Sequence, residues 1–121
     1  MITNDEKLAS AVMNAYYREM EIHAYQVNID NYSAMLLALP SEDWPQDWVA
    51  FKGVKIDELP HSLSDDDAQA ISDYQYRDRL RSLIRTERAE QSKTIRIRDV
   101  LKAQIGDSYE AQILAYKATQ P

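Results

Sequence analysis

Between Met13 and Leu39 the chain carries two apolar stripes on opposite sides of one helix. Ile22, Tyr25, Ile29, Tyr32, Leu36 and Leu39 follow one another at alternating steps of three and four. Met13, Tyr16, Met20, Val27, Ala34 and Leu37 keep a second register about half a turn away. One apolar stripe lays a helix on a core; two opposed stripes require cover from both sides. A chain of 121 residues holds one core of modest size. The Met13–Leu37 side is expected to find its partner within the chain. The Ile22–Leu39 side, Ile22, Tyr25, Ile29, Tyr32, Leu36 and Leu39, is expected to meet a second subunit or another partner.

The supply of aliphatic side chains points the same way. Leu, Ile, Val and Phe together number 26, and the hydrophobic fraction of 45% leans on Ala and eight Tyr. Two glycines and four prolines leave too few turns for a fold of many short strands. The class expected is all-α.

Thr3 and Glu6 have the spacing of a capping box, and helical periodicity then runs to Leu39, where Pro40 stops it. Residues 40–63 form a connection with a short helix between Pro45 and Gly53, fastened to the long helices by Trp44 and Trp48. Ser64, followed by Asp65, Asp66 and Asp67, caps a second long helix whose acids match the dipole. That helix runs to Ile105 and Gly106, with a polar stretch at 87–93 where it is open to a break. A short helix from about 108 to 118 closes the chain. The elements expected are thus helices at about 4–39, 65–105 and 108–118 in a single domain. The arrangement expected is a long antiparallel helical hairpin, dimerised into a bundle.

Set antiparallel, the second helix offers the seam Tyr76, Leu80, Leu83, Glu87, Glu90, Thr94, Ile97 and Leu101. This brings His23 to Glu87 and Glu90 as a polar layer inside an apolar interface, where a His–carboxylate pair fixes register. As a metal or catalytic centre the trio reads poorly, because His23 has no Glu three residues before it. His61 stands alone in a loop and is expected exposed.

Arg77, Arg81, Arg85 and Arg88 form a ridge at steps of four, four and three. Like charges at that spacing repel, so the row calls for solvent, an acidic partner or nucleic acid. Net charge argues against a general polyanion binder: it is −6 overall, −9 over residues 1–67 and +3 over 68–121. The acids at 41–47, 57–58 and 65–67 also permit a minor reading as a nucleic-acid mimic.

With no cysteine, thiol chemistry and disulfides are absent. Glycine is too scarce for phosphate-cradling loops, and no serine lies in a nucleophile elbow. No catalytic, cofactor-binding or metal residue is therefore assigned, and no cofactor. No membrane-spanning run or signal is apparent, which makes the cytoplasm the expected location. The function expected is non-enzymatic: a small acidic helical protein, homodimeric, that regulates or interacts by presenting a helical surface to a protein partner. The competing reading is a nucleic-acid-associated module using the Arg77–Arg88 ridge, followed by an enzyme with a His23–Glu90 centre.

Overall fold

The computed structural model describes residues 4–121, and among them every regular element is a helix. Helix α1 spans Asn4–Leu36, α2 spans Asp65–Ile105 and α3 spans Tyr109–Ala118. Two 3-10 turns, Gln46–Phe51 and Ile56–Glu58, lie in the connection, and a third, Gly106–Ser108, joins α2 to α3.

Asp5 and Glu6 occupy the first turn of α1, where carboxylates oppose the helix dipole. The Thr3 half of the expected capping box lies outside the described residues. At its other end α1 stops at Leu36, earlier than Pro40 requires. Leu37, Ala38 and Leu39 tighten instead into bonds to the carbonyls three residues back.

Helix α2 begins as its sequence dictates. The Ser64 hydroxyl accepts from the Asp67 amide at 3.1 Å, and three aspartates fill the first turn. The helix then runs unbroken through Glu87–Lys93. It ends at Gly106, whose φ of +82° is the left-handed conformation that closes a helix C-terminus.

The chain divides into two compact units. In the unit Ile29–Thr86, the buried core is Trp44, Leu59, Ile71 and Tyr74, with Trp48, Phe51, Val54, Leu63 and Ala68 packed against it. The Trp44 and Tyr74 rings lie 5.1 Å apart, and the indole N–H donates to Asp78 at 2.8 Å. The tryptophans thus fasten the connection to α2 by stacking and by one satisfied polar tip.

Arg77 belongs to this assembly and not to an exposed ridge. It is 3% exposed, stacks on Tyr74, and donates to the carbonyls of Pro40 and Glu42 and to Asp78. A guanidinium takes up carbonyls that the turn after α1 would otherwise leave unpaired. Arg81, Arg85 and Arg88 are exposed, so the ridge loses its first member.

The second unit comprises the chain up to Asn28 with Glu87–Pro121. Here the bonds between α1 and α2 are polar. The Gln91 amide donates to the Ile22 carbonyl at 3.2 Å and to the Gln26 side chain at 3.0 Å. Asn28 donates to Glu87 at 3.3 Å, and Arg98 to Glu19 at 2.9 Å. A polar layer exists, but its members differ from those expected. His23 is exposed and is joined to neither carboxylate. Glu87 meets Asn28, and Glu90 pairs with Lys93 on its own helix.

The covered seam of α2 keeps part of the expected set, and its other positions shift by one residue. Leu80, Glu87, Glu90, Thr94 and Leu101 are buried or half-buried as expected, but they are joined by Ile84, Gln91, Arg98 and Ile105. Tyr76, Leu83 and Ile97 are exposed. Gln91 and Arg98 have long stems and hydrogen-bonding heads that reach α1, so an inward position satisfies them. An apolar count alone assigns them to solvent.

On α1 the two stripes exchange roles. Leu8, Ala15, Ile22, Ile29 and Leu36, spaced by seven, are all buried or half-buried, with Ile29 only 4% exposed. Tyr25, Tyr32 and Leu39 are half-buried. Met13, Met20 and Val27 of the other stripe are exposed. Hydropathy makes the two stripes equivalent; the polar partners on α2 decide between them.

Candidate functional site: the outward face of helix α1 and the groove beside it

Met13, Met20 and Val27 stand seven residues apart on the open side of α1, with Tyr17 and Ala24 between them. A step of seven keeps side chains in line along a helix that pairs with another helix. Met20 is 51% exposed and Tyr17 is 44% exposed. Along this stretch α1 itself carries little charge. From Ala9 to Leu39 the charged residues are Arg18, Glu19, Glu21 and Asp30, and of these only Asp30 is exposed. Arg18 and Glu21 neutralise each other at 2.8 Å. A solvent-facing helix ordinarily carries charge on this side.

Helix α3 forms the wall of a groove on one flank of this face. Tyr16, Glu19, Met20 and His23 lie at steps of three, one and three on one side of α1, and Ile113 and Leu114 oppose them from α3. The groove encloses about 640 Å³ and takes its charged rim from Arg98, Lys102, Glu110 and Lys117. Tyr116 holds α3 in place by edge contacts with Tyr16 and Tyr17, at ring separations of 5.1 and 6.5 Å.

At the floor, buried Tyr109 donates its hydroxyl to Glu19 at 2.5 Å, and the same carboxylate oxygen accepts from Arg98. Burial opposes ionisation of Glu19. The hydrogen bonds from Tyr109 and Arg98, with the charges of Arg98 and Lys102, outweigh it and hold the carboxyl below its ordinary range. Burial first, and Glu19 second, push the Tyr109 phenol well above its ordinary value. The Lys102 ammonium lies 5.2 Å from the Tyr109 ring centroid, a cation–π contact.

This arrangement ties α3 to α1. Glu19 is occupied by two donors, Tyr109 is locked as a donor, and Arg98 also bonds Asp99. Among the described residues, no group of three or more His, Asp or Glu side chains is placed to hold a metal ion. No described helix is long and apolar enough to cross a membrane.

Sequence reading missed the Glu19–Tyr109–Arg98 triad. Its one legible trace is the seven-residue series Arg77, Ile84, Gln91, Arg98, Ile105, which places Arg98 on the covered side of α2. No family model, curated protein or solved structure matches the chain.

Proposed function

We propose that the chain is a non-enzymatic helical interaction protein, built as an antiparallel hairpin and acting as a homodimer. A second copy seats on the outward face of α1. The observation that carries this reading is the face itself: Met13, Met20 and Val27 exposed in a seven-residue register, on a stretch where Asp30 is the one exposed charge.

A second copy suits such a face for a physical reason. Twofold dimers bring a patch against itself, so a charged patch meets its own sign, whereas an uncharged apolar stripe is self-complementary. Paired in opposite directions, Met20 stands against Tyr17 of the partner subunit and Met13 against Ala24 of the partner subunit. Large side chains then fall opposite small or flexible ones, which favours close packing.

The expected oligomer is read by sedimentation equilibrium at micromolar concentration. The wild-type chain sediments as a dimer, and Met20→Glu sediments as a monomer with unchanged helical circular dichroism. A monomeric wild type under these conditions removes the proposal.

A further inference from the structure

A basin in the unit Ile29–Thr86 brings three cations together with no acid among them. It is lined by Lys52, Gly53, Val54, Lys55, Gln75 and Arg79 and encloses about 300 Å³. Its shape follows from one side chain. The Gln75 amide donates to the carbonyls of both Phe51 and Val54, at 2.8 and 2.7 Å, and so pins the turn that carries Lys52 and Lys55 onto α2. Arg79 lies four residues after Gln75, one turn along the same face of α2, and lines the same basin as the two lysines.

Acids that could neutralise these cations are engaged or placed elsewhere. Asp78, adjacent to Arg79 in sequence, accepts from Trp44 and Arg77. Asp57 and Glu58, just beyond Lys55, line no part of the basin. Three like charges around one concavity repel one another, and in a chain of net charge −6 that concentration is the reverse of the average. At the basin's edge, nothing lies within 4 Å of where a Cβ on Gly53 would stand, so a ligand can approach the backbone there.

We propose that this basin binds a phosphate group, carried as the free anion or as a small phosphomonoester. Arg79 supplies a planar fork for two phosphate oxygens, and Lys52 and Lys55 supply point charges with rotatable donors. Gln75 is a positioning residue: its amide is already committed to the two carbonyls, and it holds the lysines in place.

The test uses the full isotope-labelled chain at fixed ionic strength, titrated with inorganic phosphate and separately with adenosine monophosphate. Saturable amide shifts confined to the 52–55 turn and Arg79 are expected. Lys52→Gln combined with Arg79→Gln should weaken binding by about ten-fold or more. Near-UV circular dichroism of Trp44 and Trp48 reports whether that variant keeps its fold; if it does not, the single variants Lys55→Gln and Arg79→Gln take its place. Tighter binding of the monoester identifies the esterified ligand, and tighter binding of inorganic phosphate identifies the free anion. Absence of saturable shifts with both ligands, or undiminished binding in folded variants, overturns the proposal.

Discussion

Tyr74 and Arg77 grip the same residue by different atoms. The Tyr74 hydroxyl donates to the Glu42 carboxylate at 2.8 Å, while the Arg77 guanidinium donates to the Glu42 carbonyl and lies 4.9 Å from the Tyr74 ring centroid. Two side chains three positions apart on α2 thereby hold one residue of the connection at both its backbone and its tip. Glu42 responds: its own backbone amide, then the Tyr74 hydroxyl, keep its carboxyl below the ordinary range.

Arg77→Ala should therefore destabilise the chain by about 2–4 kcal/mol, because it leaves the Pro40 and Glu42 carbonyls without their buried donor and removes a stacked group. Arg77→Lys should recover little, since an ammonium reproduces neither the fork nor the stack. Arg81→Ala, at an exposed position, should change stability by less than about 0.5 kcal/mol. Urea unfolding of the three variants measures this. Equal effects of Arg77→Ala and Arg81→Ala would return Arg77 to the surface.

The exchange of stripes on α1 predicts contrasting outcomes for one substitution type. Ile29→Glu introduces a carboxylate into a covered site and should cost about 3 kcal/mol or more, read as a fall in the thermal midpoint. Met20→Glu should leave the midpoint of the monomer within a few degrees. If Ile29→Glu were folded as stably as the wild type, the covered face would have been misassigned.

Acid stability should depend on Glu19. Its folded pKa lies below its unfolded value of about 4.3, so its contribution is complete above that value. The contribution is lost as pH falls through the folded pKa. Asp78 carries the same sign: burial raises its pKa, but the bonds from Trp44 and Arg77 bring the net shift downward. The difference in thermal midpoint between wild type and Glu19→Gln should be constant near neutrality and close below about pH 4. A difference that persists or widens in acid contradicts this assignment.

Tyr109→Phe removes only the hydroxyl from the floor of the groove. A hydrogen bond to a partly exposed carboxylate is worth about 1 kcal/mol, and the ring's packing remains. Hydrogen exchange should accelerate first in α3, which the Tyr109–Glu19 bond ties to α1. Uniform acceleration across the chain would show that α3 has no separate opening.

Gly106→Ala should cost about 1 kcal/mol through backbone conformation alone. The φ of +82° disfavours any L side chain, while no atom lies within 4 Å of the position a Cβ would take. Chemical denaturation of this variant, compared with Gly53→Ala, isolates the backbone effect.

The helices were legible because their signals are local. Ser64 with three aspartates marked the start of α2, Gly106 its end, and the tryptophans their own anchoring. Facing was not legible. Apolar counting turned the Met13–Leu37 side toward the chain's own second helix and left the Ile22–Leu39 side for a partner, and it set Leu83 and Ile97 inward at the expense of Gln91 and Arg98. The choice rests on hydrogen bonds between residues 69 and 79 positions apart in sequence, which no periodicity encodes. Arg77 failed for a related reason: an arginine at ridge spacing reads as surface until its carbonyl acceptors, in another segment, are located.

Two of the three exposed side chains in the α1 register are thioethers, Met13 and Met20. One added oxygen atom turns each into a sulfoxide, a strongly polar group with a new stereocentre at sulfur. The outward face of α1 therefore keeps its apolar character only while these sulfurs stay reduced. The covered side, made of Leu8, Ala15, Ile22, Ile29 and Leu36, contains no atom open to that change.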